Sequence, residues 1–312
     1  MLELKRYRAY ICLMKKTLKS LIQPKSTDDF FKSYESNIPF VVHGLSESIS
    51  NLTALPFLKS LSDLMTFWPK EVEVHLPDLA DEASAVQATT EKALEMHECG
   101  MGLLFNDANT ESPILTRWLE SLRQDMGLSM HTYGRNLIYA TKAGKGTAPH
   151  FDQNINFVIQ IHGTKKWWIA PNKNVVNPMT RHTMGQEVDS ELASYIKAPM
   201  PNKMPDDATE ITLQPGSMLF VPRGSWHTTE AVTDALALNF TYSAPNWIDL
   251  FSAALRSRLA LSPKWRQTAD FVSGDNKSPE VIAQFNELLT ELSYDAQNWH
   301  AEDILAAVEP KQ

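Results

Sequence analysis

Two kinds of hydrophobic pattern divide the chain. Between residues 131 and 244, short apolar or alternating runs ("RNLIYAT", "NFVIQIHG", "KKWWIAP", "EITLQPGSMLFVPRG", "ALALNFTYS") are separated by Gly and Pro turns. Such runs predict an antiparallel sandwich or barrel. Upstream, Ser26 or Thr27 followed by Asp28 and Asp29 predicts a capped helix, "IPFVVHG" a short buried strand closed by Gly44, and "ESPILTRWLESLRQDMG" an amphipathic helix ending at Gly127. Downstream, "IDLFSAALRSRLAL" and "SPEVIAQFNELLTELS" return to helical spacing. The predicted organisation is a basic N-terminal segment over residues 1–25, α/β elements packing on the barrel over 26–130, the barrel over 131–247, and a helical region over 248–312. The polar, irregular stretch from residue 171 to 210 reads as a surface loop or lid.

Alternation assigns faces. In residues 155–162, Asn156, Val158, Gln160 and His162 share one face, and Ile155, Phe157, Ile159 and Ile161 the other. In "ALALNFTYS", Asn239, Thr241 and Ser243 oppose Leu238, Phe240 and Tyr242. Two strands with a polar row against an apolar back suit a small barrel that holds a hydrophilic ligand.

His150 and Asp152 stand at the edge of one strand, and His227 follows a Pro-Arg-Gly turn much later. Two histidines and a carboxylate so placed form the 2-His-1-carboxylate set of non-haem Fe(II) oxygenases, which leaves positions open for substrate and oxygen. Lys165, two residues beyond Gly163, is placed to pair with a dicarboxylate co-substrate in a low-dielectric pocket. Lys166 faces the other way. His162 and His182 lack a carboxylate two residues away and read as ordinary residues, and Trp167 and Trp168 as core packing. Trp226 and Arg223 either line the substrate mouth or pack the barrel end and meet solvent. Asn239 and Thr241 read as hydrogen-bond partners that fix the metal histidines, or as buried polar residues satisfying each other.

The stretches "HFDQNINFVIQIHGTKKWW" and "PGSMLFVPRGSWH" resemble the JmjC and cupin-like Fe(II)/2-oxoglutarate oxygenases. The likeness is greatest to the hydroxylase branch that holds the ribosomal oxygenases and the asparaginyl hydroxylase of hypoxia signalling. The matching positions are His150, Asp152, Gln160, Gly163, Lys165, Pro222, Gly224 and His227, and the likeness runs more loosely over residues 28–250. The resemblance implies a mainly β core, a double-stranded β-helix (cupin/JmjC jelly roll), with N-terminal α/β elements and C-terminal helices. It implies Fe(II), 2-oxoglutarate as co-substrate and O2, with Lys165 on the distal carboxylate and Asn136, Thr147, Asn156 and Ser243 as further co-substrate contacts. Ile138 stands where the ribosomal oxygenases carry tyrosine, and Asn156 follows the asparaginyl-hydroxylase pattern. The expected reaction is hydroxylation of a protein or peptide side chain with release of succinate and CO2. A small-molecule hydroxylase of secondary metabolism, a JmjC-type demethylase and a non-enzymatic cupin-like binding protein are the alternatives.

Composition narrows the partners. A net charge of −8 over 312 residues argues against a nucleic acid as main partner. Two cysteines outside any paired motif fit a cytoplasmic protein. The N-terminal "MLELKRYRAYICLMKKTLKSL" is broken by lysines, which predicts an amphipathic helix or frayed start rather than a membrane span; such a helix also suits a membrane surface or a partner helix. Leu250, Phe251, Leu255 and Leu259 form an apolar stripe that predicts a homodimer through the C-terminal helices.

Overall fold

The computed structural model describes residues 16–76, 84–273 and 278–309, so most of the predicted basic N-terminal segment lies outside the described residues. The chain forms two units, one built from residues up to Leu128 together with Thr132–Ala244, the other from Ser129–His131 and the residues after Ala244.

The first unit opens with α1 (Lys16–Ile22), α2 (Thr27–Glu35) and β1 (Phe40–Val42), followed by α3 (Leu61–Phe67), β2 (Val72–His75), β3 (Ala85–Ala88), α4 (Thr90–Glu98), β4 (Gly102–Phe105) and α5 (Pro113–Asp125). Ser26 caps α2 by accepting from Asp29 N–H, and the carboxylate of Asp125 accepts from the Thr17 and Leu18 N–H groups at the start of α1. Orphan donors at both helix starts are thereby satisfied. The strands β5 (Tyr133–Thr141), β6 (Gly146–Phe151), β7 (Ile155–His162), β8 (Lys165–Ala170), β9 (His182–Thr183), β10 (Thr209–Leu213), β11 (Met218–Val221), β12 (Trp226–Ala231) and β13 (Ala235–Ser243) complete it.

Among the described residues all strand pairs are antiparallel. They form an eight-stranded sheet in the order β1-β11-β7-β13-β5-β4-β2-β3 and a five-stranded sheet in the order β10-β8-β12-β6-β9. Strands β2–β4, read in the sequence as material packed on the barrel, extend the larger sheet through the β4–β5 pairing. This is the predicted mainly β jelly roll with helices on either side in sequence.

The period-two reading of β7 and β13 describes how the larger sheet is buried. Ile155, Phe157, Ile159, Ile161, Leu238, Phe240 and Tyr242 join the main core with α1, α2 and α5. Phe30 of α2 contacts Phe40, Phe157 and Phe220, with centroid distances of 5.4, 5.7 and 5.2 Å, and so fastens the helix to the back of the sheet. The opposite face meets the smaller sheet through Val158, Trp167, Ile169, Leu213, Leu219, Val221 and Ala237. Val158, Trp167, Val221 and Ala237 of this inter-sheet core also line the cavity between the sheets.

The segment from residue 171 to 208 departs from expectation. It adds β9 to the edge of the smaller sheet and packs its own apolar residues, Val175, Leu192 and the partly buried Met184, Tyr195 and Ile196, against Phe151, Ala170 and Trp226. Its sequence looks polar because these residues are widely spaced, with no period to reveal them.

The second unit holds α6 (Trp247–Leu259), α7 (Pro279–Ala296) and α8 (Ala301–Val308). Asn246 and Asp249 form a reciprocal capping box at the start of α6, and Arg258 makes a two-pronged pair with Asp295 of α7. Leu250, Leu255 and Leu259 are half-buried, and of the predicted stripe Phe251 alone is exposed. Exposed apolar residues on these helices include Trp247, Ile248 and Phe251 on α6, Ile282, Phe285, Leu289 and Tyr294 on α7, and Leu305 on α8.

Candidate metal centre and its cavity

His150 and His227 meet because β6 and β12 pair in register, with the two residues directly opposite each other. Asp152 follows the end of β6, where its carbonyl accepts from Gly224 N–H at 2.8 Å. Gly224 takes a left-handed φ of +81° in the turn before β12, which a side chain disfavours. One ligand atom from each of the three side chains lies within 4.8 Å of the others. Oδ2 of Asp152 stands 3.8 Å from Nε2 of His150 and 3.7 Å from Nε2 of His227.

The ring orientation is fixed from behind. Nδ1 of His150 donates to the Ala148 carbonyl at 2.7 Å, and Nδ1 of His227 to the Ser225 carbonyl at 2.9 Å. Each histidine is therefore the tautomer whose Nε2 lone pair points at the carboxylate oxygen. Asn239 and Thr241, the expected partners, do not serve this role, because each ring reaches the carbonyl two residues before it on its own chain. Trp167 stacks on His227 at 5.8 Å and 21°, so it is part of the site's wall as well as core. Trp168 is not core: it lies half-exposed on the outer face, with its indole N–H on Glu210.

Burial lowers both imidazoles, His150 to about 3 with the further push of His227. Burial alone would raise Asp152, but His150, His227 and Arg181 outweigh it and hold its carboxyl below the ordinary range. Two neutral nitrogen donors and one ionised oxygen donor thus converge at a buried point, and this donor set fits a divalent iron.

The triad opens into a cavity of about 520 Å³ between the sheets. Lys165 stands on its wall, 5% exposed, with Nζ donating to Thr141 Oγ1 at 3.2 Å. Among the described residues no carboxylate pairs with it, and burial lowers its ammonium to about 8. Asn239 Oδ1, Thr241 Oγ1 and Trp167 Nε1, all on residues of the same wall, are buried without a hydrogen-bond partner. An unpaired buried cation and unsatisfied polar atoms around one space fit a dicarboxylate with further acceptor and donor groups.

The other sequence-predicted contacts divide. Thr147 and Asn156 line the cavity, Thr147 with its hydroxyl 3.0 Å from that of Thr229. Asn136 does not line it. It is fully buried on the opposite face of β5, with Nδ2 donating to the Asn239 carbonyl at 3.2 Å, whereas Arg135, Leu137, Tyr139 and Thr141 face the cavity. A shift of one residue exchanges the faces of a strand. By the same correction the tyrosine on this wall is Tyr139, next to Ile138. Burial and then the charge of Asp152 push its phenol up, so it remains a proton donor. Ser243 also misses the cavity, donating to Asn154 Oδ1 at 2.7 Å.

Trp226 is fully buried against Phe151 at 4.8 Å and packs the barrel end, and Arg223 donates to the Pro178 carbonyl at 2.7 Å. His162 Nε2 donates to the Leu58 carbonyl at 2.7 Å, outside the cavity, and His182 packs near Phe151 and Trp226. The sequence reading missed Arg181, whose Nε lies 3.1 Å from Asp152 Oδ1, and the polar residues Glu73, His75 and Asn106 at the cavity's far side. For Tyr139 and Thr141 the signal was present in the alternation of "RNLIYAT"; for Arg181 no local pattern existed.

A family model described as the JmjC domain matches residues 117–250. The chain is similar to a protein of Bacillus subtilis (strain 168) described as "Uncharacterized protein YxbC", with 31% identity over 92% of this chain and 89% of that one. It is 25% identical to Ribosomal oxygenase 1 of Danio rerio over 54% of this chain, and spans 29% of that longer protein. Among solved structures it resembles the Escherichia coli ribosomal oxygenase YcfD, with a TM-score of 0.54 and 18% identity over 91% of this chain and 69% of that one. YcfD is also known in complex with cobalt and 2-oxoglutarate, at a TM-score of 0.50. Family model, full-length relative and a buried His-Asp-His donor set agree, and the chain belongs to the JmjC-domain family of Fe(II)- and 2-oxoglutarate-dependent dioxygenases.

Proposed function

We propose that this dioxygenase hydroxylates a polar side chain of a protein or peptide, in the cytoplasm and as a homodimer. The observation that carries the substrate class is the composition of the cavity wall away from Lys165. Glu73, His75, Asn106, Arg135 and Asn154 line it, and Asn106 Nδ2 donates to Glu73 at 2.9 Å. Hydrogen-bonding walls suit a polar side chain inserted from an extended chain better than an apolar metabolite. The names of the ribosomal oxygenase relatives support the same reading.

His150, Asp152 and His227 would hold the iron, which with 2-oxoglutarate supplies oxygen activation coupled to decarboxylation of the co-substrate. The chain's own residues do the rest. Lys165 supplies the counter-charge for the distal carboxylate, and Thr141 holds its ammonium in place. Tyr139, kept protonated by burial, offers an O–H donor on the same wall. Trp167, stacked on His227, shields that histidine from bulk water on the inter-sheet side.

The homodimer rests on the exposed apolar residues of α6 and α7, with Trp247 77% and Ile248 62% exposed. Among the described residues no helix is long and apolar enough to cross a membrane.

The test is anaerobic binding of Fe(II) and 2-oxoglutarate, then succinate release in air with fractionated cellular proteins and peptides. The expected result is turnover stimulated by a protein fraction, with one oxygen atom gained on a side chain of that protein. Stimulation confined to small-molecule fractions would overturn the substrate class, and formaldehyde release would mark a demethylase.

A further inference from the structure

Asp152 divides its two oxygens. Oδ2 faces the two histidines, and Oδ1 is 3.1 Å from Nε of Arg181. Arg181 arrives there by strand pairing. In the β6–β9 ladder His150 is opposite Thr183 and Phe151 opposite His182, so the next position in register sets Arg181 opposite Asp152. The Met184 N–H bond to the Pro149 carbonyl at 2.8 Å extends the ladder at its other end. The apolar cluster of the 171–208 segment holds β9 on the sheet, and the Arg223 guanidinium ties Pro178 to the turn before β12. The segment is thus a built support with a guanidinium at the metal centre.

Resting on the metal-site reading, we infer that Arg181 is a positioning residue that keeps Asp152 a one-oxygen ligand and so reserves a coordination position for the co-substrate. A carboxylate binds a metal through one or both oxygens, and the choice decides how many positions stay open. A charge-assisted hydrogen bond to Oδ1 opposes rotation of the carboxylate into two-oxygen binding. Arg181 does not touch the reacting atoms in this role. It acts through Asp152, and its positive charge slightly opposes the metal itself.

Co(II) replaces iron in the test, because its visible absorption reports ligand number without turnover. Full-length wild type, Arg181→Met and Arg181→Lys are titrated with Co(II), then with 2-oxoglutarate, and their thermal unfolding is followed in parallel. In Arg181→Met, Co(II) affinity is expected to stay within about threefold of wild type, while 2-oxoglutarate binds the Co(II) form about tenfold more weakly and its spectral change is altered. Arg181→Lys is expected to recover part of the loss. Wild-type 2-oxoglutarate binding and spectrum in Arg181→Met would overturn the inference. So would a parallel fall in melting temperature and Co(II) affinity with unchanged co-substrate affinity of the loaded protein, the mark of a support role alone. If wild type binds no Co(II), the metal-site reading itself falls.

Discussion

The ammonium of Lys165 lies 3.2 Å from the Thr141 hydroxyl and, among the described residues, has no carboxylate partner although it is buried. A buried unpaired charge costs stability until a counter-ion arrives. Lys165→Met is therefore expected to act in opposite directions: 2-oxoglutarate binding weakens ten- to hundredfold, since a charged hydrogen bond contributes about 1.5–3 kcal/mol, while the ligand-free protein becomes more stable. Calorimetric titration and chemical denaturation of the same samples check both signs.

The same lysine sets a pH dependence. Its folded-state pKa, about 8, lies below the ordinary 10.5, so between these values the unfolded chain binds more protons than the folded one. Its contribution to folding stability then rises with pH across that window, by an amount on the order of a few kcal/mol. Co-substrate affinity moves the other way and falls above pH about 8 as the free enzyme loses the ammonium. In Lys165→Met both dependences should disappear from denaturation and binding curves recorded across the window.

Removing a ligand of the triad should abolish tight metal binding. His227→Ala is expected to weaken Co(II) at least about a hundredfold, with the unfolding transition of the metal-free protein still cooperative. Retention of stoichiometric Co(II) by this variant in equilibrium dialysis would contradict the donor set described here.

Asn136 and Gly163 separate structural from chemical roles. Asn136→Ala removes the bond to the Asn239 carbonyl and is expected to cost about 1–3 kcal/mol of stability without changing the affinity for 2-oxoglutarate. At Gly163, φ is +70° and a Cβ would lie 2.0 Å from the Asp234 carbonyl oxygen. Gly163→Ala is expected to cost about 2–4 kcal/mol. Urea denaturation measures both, and a co-substrate titration that moves with Asn136→Ala would return that residue to the site.

Phe285→Asp places a charge in the exposed α7 stripe of Ile282, Phe285 and Leu289. It is expected to convert a dimer to a monomer in light scattering, with 2-oxoglutarate binding unchanged. A wild type that is monomeric at all accessible concentrations would remove the dimer from the reading.

The barrel and its metal ligands were legible because both rest on short-range regularities. Period-two alternation separated the core face of Ile155, Phe157 and Ile159 from the inner face of Asn156 and Val158. His-x-Asp places two donors on adjacent parts of one strand end. Asn136 was misplaced because β5 is buried on both faces, so apolarity does not distinguish them and a resemblance displaced by one residue goes unnoticed. Arg181 was invisible because its position depends on a two-residue strand inside an irregular segment. On α6 the leucines are half-buried rather than exposed, since spacing marks an apolar stripe but not which neighbour covers it.

Strands β2 and β4 continue the larger sheet, and this places Glu73, His75 and Asn106 on the cavity while they stand outside the stretch, residues 117–250, that carries the family signature. The iron ligands and part of the wall proposed to meet the substrate thus lie in different parts of the chain, while Arg135 and Asn154 of the same wall lie within that stretch. Exchanging residues 72–76 and 102–106 between relatives is therefore expected to alter that part of the wall while leaving His150, Asp152 and His227 in place.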